Sequence, residues 1–176
     1  ACRLAENEGI KVFYGNALEE RTLQRAELDS RKGIIALSGN EEVNYIFSQR
    51  AKHLAKELII LTGIKYKNEG ITSSMIGDAG GRIPFGRPVD IDLWSSWIRG
   101  GQTYCSSCEL TEDTDLDFKD ESMRGVLLPM VVSHKRTTMP VHEQMTIKKG
   151  DFVTFLCNDQ KKETAHGWLQ ENRFTI

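Results

Sequence analysis

No apolar run in this chain approaches the roughly 20 residues that a membrane-crossing helix needs, so direct insertion into a bilayer is not expected. A charged-then-apolar leader is also missing, and with it any visible secretory signal. Cysteine is scarce: Cys2, Cys105, Cys108 and Cys157 are too few and too scattered for a disulfide framework. A reducing, cytoplasmic setting follows. Neither sign of charge dominates. The 23 Lys and Arg stand against 25 Asp and Glu, a net charge of −2, and nucleic-acid binding has no electrostatic support. Catalytic signatures are missing too. No serine sits in a nucleophile elbow and no H-E-x-x-H occurs. No D-x-D-x-D-G loop with a distal Glu offers a calcium site. Composition therefore excludes a membrane span, a secreted disulfide scaffold and a nucleic-acid binder, and leaves 176 residues of globular chain in one domain or two small ones.

What is present centres on residues Lys32 to Leu61. Ile34, Ile35, Ala36 and Leu37 form an uninterrupted apolar run, the pattern of a strand buried on both faces. Ser38 followed by Glu41 has capping-box spacing. Val43, Ile46, Phe47, Ala51, Leu54 and Leu58 then recur at helical spacing as one apolar stripe. Glu41 and Glu42 at the helix start and Lys52, His53 and Lys56 towards its end complement the helix dipole. Leu58 to Leu61 returns as a strand. Strand, helix and strand with short links make a βαβ unit.

Before it, Ala1 to Asn7 reads as a helix tail stopped by Gly9. Ile10 to Tyr14 reads as a strand. Asn16 is placed to cap a helix carrying Leu18, Leu23 and Ala26 and ending near Asp29. Residues 1 to 62 thus read αβαβαβ, a partial doubly wound sheet of three parallel strands. A sheet that thin is expected to be completed by residues outside this sequence or by a second chain.

From Lys65 to Gly86 the chain is glycine-rich with little periodicity, which suits a linker with a short helical piece at Ser73 to Ile76. Asp90 to Ile98 reads as a short helix. Its Trp94 and Trp97 either pack against the next module or form a partner surface. Gln102 to Leu110 suits a strand. Glu109 to Glu121 holds seven carboxylates against one lysine, Lys119; a solvated acidic loop is the ordinary reading and a divalent-cation site the sharper one. The last third is β-rich. Val126 to Val132 is an apolar strand in which Pro129 demands an edge or a bulge. Thr137 to Val141, Gln144 to Ile147 and Phe152 to Cys157 are further strand candidates, and Thr164 to Glu171 closes as a helix with Ala165, Trp168 and Leu169 inward.

Cys105 and Cys108 have CxxC spacing, but on a strand positions three apart face opposite sides. A zinc site would have to gather His134, His142 or Cys157 as well. His134 and His142 bracket a hairpin-like segment and are either ordinary structural histidines or a pH-responsive pair.

A series of matched positions over residues 9 to 61 resembles the RCK, or TrkA N-terminal, family of regulatory domains in potassium channels and transporters. The positions are Val12-Phe13-Tyr14-Gly15-Asn16-Ala17, Leu23 to Leu28, Ile34 to Ser38, Glu41-Glu42-Val43-Asn44 and Ala51-Lys52. The last fifty residues resemble the family's C-terminal companion. Here the matched positions are Leu128-Pro129-Met130-Val131, His134 to Arg136, Met139-Pro140-Val141, Lys149-Gly150-Asp151 and Phe152 to Leu156. Phe85-Gly86 through Asp92, Trp94 and Gly100 is similar to the cytoplasmic tails of bacterial sodium/proton antiporters.

Two departures qualify what the resemblance implies. The fingerprint G-x-G-x-x-G and the acidic residue for a ribose hydroxyl are absent, and Asn16 stands where the family has aspartate. The resemblance then implies at most a residual nucleotide cleft lined by Asn16, Ala17 and Ser38, with no cofactor held. NAD or ATP would bind only if a missing N-terminal half were supplied.

The resulting expectation is an α/β chain: residues 1–64 a truncated TrkA-N-like Rossmann half, 65–100 a linker with short helices, and 101–176 a TrkA-C-like β-rich module. Its expected role is non-enzymatic regulation of a cation/proton antiporter at the cytoplasmic side of the membrane. The expected partners are a transmembrane domain of the same longer chain and a second copy as homodimer. The alternatives are a free-standing nucleotide-sensing regulator of potassium uptake and a fragment of an NAD-dependent enzyme.

Overall fold

The computed structural model describes residues 2–54, 57–66, 70–114 and 118–175. Two sheets organise them. Strands β1 (Gly33–Ala36) and β2 (Ile59–Thr62) pair in parallel, Gly33 opposite Ile59 and Ala36 opposite Thr62. Strands β3 (Thr103–Leu110), β4 (Leu127–His134), β5 (Thr137–Pro140), β6 (Phe152–Asn158) and β7 (Phe174–Thr175) form an antiparallel sheet in the order β5-β4-β6-β3-β7. The helices are α1 (Cys2–Asn7), α2 (Glu20–Arg25), α3 (Glu41–Leu54), α4 (Ser73–Asp78), α5 (Ile91–Arg99) and α6 (Lys162–Glu171). The α/β class is as the sequence predicts. One parallel strand fewer forms: Ile10 to Tyr14 is irregular, with Ile10 59% and Tyr14 89% exposed. With both of its ends exposed, the segment is only half-buried at Val12 and Phe13, and β-propensity without burial does not make a strand. The helix expected over residues 16–29 is likewise shorter, giving way to a 3-10 turn at Leu28–Ser30.

The start of α3 corrects the capping box. Asn40 Oδ1 accepts the Val43 N–H at 2.9 Å and so caps the helix, while the Glu41 carboxylate accepts the Lys65 N–H at 2.9 Å. The buried face of α3 also differs from the apolar stripe. Asn44, Ser48 and Ala51 are buried, whereas Ile46 and Leu54 are 39% and 42% exposed. The helix turns its small polar residues inward because they have partners there. Ser48 Oγ bonds both the Asn44 carbonyl, 2.9 Å, and Thr62 Oγ1, 2.7 Å, and a buried hydroxyl is stable only when so paired. Ala51 packs with Leu23, Leu28, Leu58 and Ile60 beneath α2. In the parallel sheet, alternation puts Ala36 and Ile60 on the α3 side and Ile35 and Ile59 on the other. Ile35 and Ile59 are 42% and 40% exposed.

Residues 82–85 replace the expected linker with a strap that holds both sheets. On one side, Arg82 exchanges backbone hydrogen bonds with β2: Thr62 N–H to the Arg82 carbonyl and Arg82 N–H to the Ile60 carbonyl, both 2.9 Å. On the other, Phe85 N–H donates to the Val141 carbonyl at 2.7 Å and Glu143 N–H to the Ile83 carbonyl at 3.0 Å. Residues 144–147, expected as a strand, are instead irregular, and the pairing passes to His142 opposite Pro84. Just beyond the strap the buried Arg87 guanidinium donates to the carbonyls of Phe118, Asp120, Met123 and Leu127 at 2.7–3.1 Å. A planar fork of N–H groups can satisfy several carbonyls at once, so this buried cation is fully solvated by the chain.

The antiparallel sheet carries the larger core. Phe155, Trp168 and Phe174 pack in aromatic contact, with Val153, Cys157, Ala165 and Leu169 around them. Pro129 sits at a bulge in the β4–β6 pairing, where register shifts between Pro129 and Val131, so the missing N–H breaks no ladder bond. Helix α6 turns Ala165, Trp168 and Leu169 inward as its spacing predicts. Part of the acidic stretch, residues 115–117, lies outside the described residues.

Candidate functional site

In an open parallel sheet, ligands bind beyond the carboxyl ends of the strands. Here that position is occupied by a network centred on Asn44. Its Oδ1 accepts from the Ser38 N–H at 2.8 Å and the Ser38 hydroxyl at 2.7 Å; its Nδ2 donates to the carbonyls of Ser38 and Gly63, both 2.9 Å. One side chain thus joins the chain leaving β1 to the chain leaving β2. Gly39 abuts α5: a Cβ there would lie 2.5 Å from Asp92 Oδ1. Asp92 in turn pairs with Lys65 at 3.2 Å, and this hydrogen bond, then the charge of Asp92, pushes the Lys65 pKa up. Glu41 and Asp92 therefore place two carboxylates at the strand ends. A phosphate brought there would meet like charge rather than the bare helix N-terminus that favours anions.

The three residues expected to line a residual cleft are not gathered. Ser38 is part of the Asn44 network. Asn16 and Ala17 are exposed, Asn16 Oδ1 accepting the Leu18 N–H at 2.9 Å. Arg50 hydrogen-bonds the Leu18 carbonyl, which ties this segment to α3 near its other end from Ser38. Asn44, Asp92 and Lys65 were not singled out as site residues in the sequence. The signal available for Asn44 was its spacing with Ser48 and Ala51, a buried face that apolar counting passes over.

The remaining candidates separate. Cys105 is exposed and Cys108 buried, the opposite-face placement that strand geometry predicts. Burial pushes the Cys108 pKa up, and it pushes Cys157 up to about 11 and the neighbouring Tyr104 to about 12. No group of three or more His, Cys, Asp or Glu side chains suited to a metal occurs among the described residues. His134 Nδ1 meets the buried Asp151 carboxylate, whose other oxygen accepts the Lys148 N–H at 2.9 Å. His142 is buried in the strap seam with Arg82 Nη1 3.1 Å from its Nε2. Burial first, and then the charge of Arg82, lowers its pKa.

No helix among the described residues is long and apolar enough to cross a membrane. No curated protein matches the chain. Among solved structures it is similar to the crystal structure of the GsuK RCK domain, at 12% identity, TM-score 0.38, covering 92% of this chain and 38% of that one. It is also similar to the GsuK channel bound to NAD, at 12% identity and TM-score 0.37, with coverage of 89% and 31%. A further match is the GsuK channel, at 12% identity and TM-score 0.38, with coverage of 92% and 31%. The chain thus spans well under half the length of the structures it matches. Residues 1–77 match the family model of the TrkA-N domain, a stretch that contains the positions 9–61 on which the sequence resemblance rests. That match supports a TrkA-N-type domain at the amino-terminal side of the chain.

Proposed function

We propose that the chain is the regulatory part of a monovalent-cation transport system, in the form of the cytoplasmic tail of a cation/proton antiporter, and that it performs no catalysis. The observation that carries this reading is the TrkA-N match over residues 1–77. In this reading residues 1–64 are the TrkA-N-type half, 65–100 the connection and 101–176 the companion module. The strap supports a signalling role, because hydrogen bonds on both of its edges tie it to both sheets. Regulation needs two states that a signal favours unequally, and a strap shared by both sheets transmits such a preference. Self-association is part of the reading. Parallel sheets are normally covered on both faces, and the side carrying Ile35 and Ile59 is the one that α3 leaves open. Asn44 filling the strand ends supports a site that holds no nucleotide there.

The test is cation-driven dissipation of a pH gradient in everted vesicles. The vesicles carry the whole polypeptide to which this chain belongs, with residues 1–176 present or removed. Retained exchange with a shifted pH or cation set point is the expected result. Identical exchange with and without the segment would overturn a regulatory role, and a parent polypeptide without membrane spans would transfer the reading to a free-standing potassium-uptake regulator.

A further inference from the structure

A cleft of about 400 Å³ lies between α5, the chain leaving β2 and the turn before β4. Its volume is that of a small-ligand site. Four cationic side chains line it against one carboxylate. The cations are Lys65, Arg87, Arg124 and Lys161, and the carboxylate is Asp90. Asp90 is engaged in capping α5, its Oδ1 accepting the Leu93 N–H at 3.0 Å. Lys65 and Arg124 are held at the rim by Asp92 and Glu121, and Arg87 is turned to backbone carbonyls. Lys161 is exposed and makes no ion pair among the described residues.

The walls between these cations are aromatic. Trp94 and Trp97 meet edge to face with ring centroids 5.1 Å apart. A Cβ at Gly125 would be 3.2 Å from Trp97 Cη2, and Gly125 has φ +65°. Glycine at this position therefore lets the indole edge approach the backbone. Opposite, the Arg124 guanidinium covers the Tyr66 ring, a cation–π contact that orders both side chains.

We propose that this cleft binds a small anion with a flat apolar body. The body would lie against Trp97 and Tyr66, and the phosphate or carboxylate would reach Arg124, Lys161 and Lys65. Cations from three separate segments give charge-assisted bonds that neutral partners do not match. Aromatic faces accept any flat body. The proposal does not depend on the transport reading, since binding can be measured whatever the ligand regulates.

The test follows the three tryptophan indole N–H resonances of the whole 176-residue chain by nitrogen–proton correlation NMR. The probes are AMP, benzoate and inorganic phosphate, each titrated to millimolar concentration. The expected result is a saturable shift of Trp94 and Trp97 with AMP or benzoate, and a still Trp168, which belongs to the other core. AMP alone acting would make the group a phosphate; benzoate acting equally would make it any carboxylate or phosphate. K161E and R124Q are each expected to weaken binding by ~10-fold or more while leaving the rest of the spectrum folded. Any of three results overturns the proposal. One is still Trp94 and Trp97 resonances with every probe, another is shifts unchanged in both variants, and the third is inorganic phosphate binding as tightly as the flat anions.

Discussion

At the scale of single residues, Asn44 shows how one amide can join two strand exits. All four of its hydrogen bonds go to main chain or hydroxyl of the two strand exits, and Gly63, one acceptor, is buried. N44A should therefore cost about 2 kcal/mol, because a buried carbonyl left without a donor carries most of its desolvation penalty. N44D should cost more, since a carboxylate would face two carbonyls where the amide donates. Urea denaturation of both variants gives the comparison, and N44D at or above wild-type stability would contradict the assigned amide orientation. This residue also marks the boundary of what the sequence discloses. Asn44 could be matched to a family position, but its partners Ser38 and Gly63 lie 6 and 19 residues away, and no local pattern encodes which of them it meets.

At the scale of elements, regular periodicity was readable and tertiary pairing was not. Strands β3, β4, β5 and β6 and helices α5 and α6 lie where alternation, capping residues and turn signals put them. Asp90 caps α5, and Pro129 forces the bulge. Ile10 to Tyr14 failed as a strand because its propensity is not matched by burial, Ile10 and Tyr14 both standing exposed. Residues 82–85 were missed because a four-residue segment between glycines carries no period to detect. One fixed position flanks this segment. Gly86 has φ +74°, and a Cβ added there would lie 2.6 Å from Phe118 Cβ. G86A combines a left-handed backbone with overpacking, and should destabilise by about 3 kcal/mol. The measurement is the denaturation midpoint at unchanged m-value. A loss under about 1 kcal/mol would show that the segment around Phe118 yields freely.

At the scale of the whole molecule, the seam between the sheets contains its own titratable group. His142 is buried against Arg82 and its pKa is lowered, by burial first and then by that guanidinium. A histidine with a depressed folded pKa takes up its proton more readily once unfolded. Its stabilising effect is thus complete above the unfolded pKa of about 6.5 and is lost as pH falls from there through the folded value. The melting temperature should drop more steeply between about pH 7 and pH 5 in the wild type than in H142Q. Parallel curves for the two proteins would remove His142 from the seam's energetics. The strap has a further consequence for how the chain tolerates change. Arg82 is fixed in phase with β2 and Phe85 in phase with Val141, so the interval between them acts as a gauge. One residue added or removed there would swap the sides on which Ile83 and Pro84 emerge and leave one sheet unmated, which makes this short interval an inelastic length of the polypeptide.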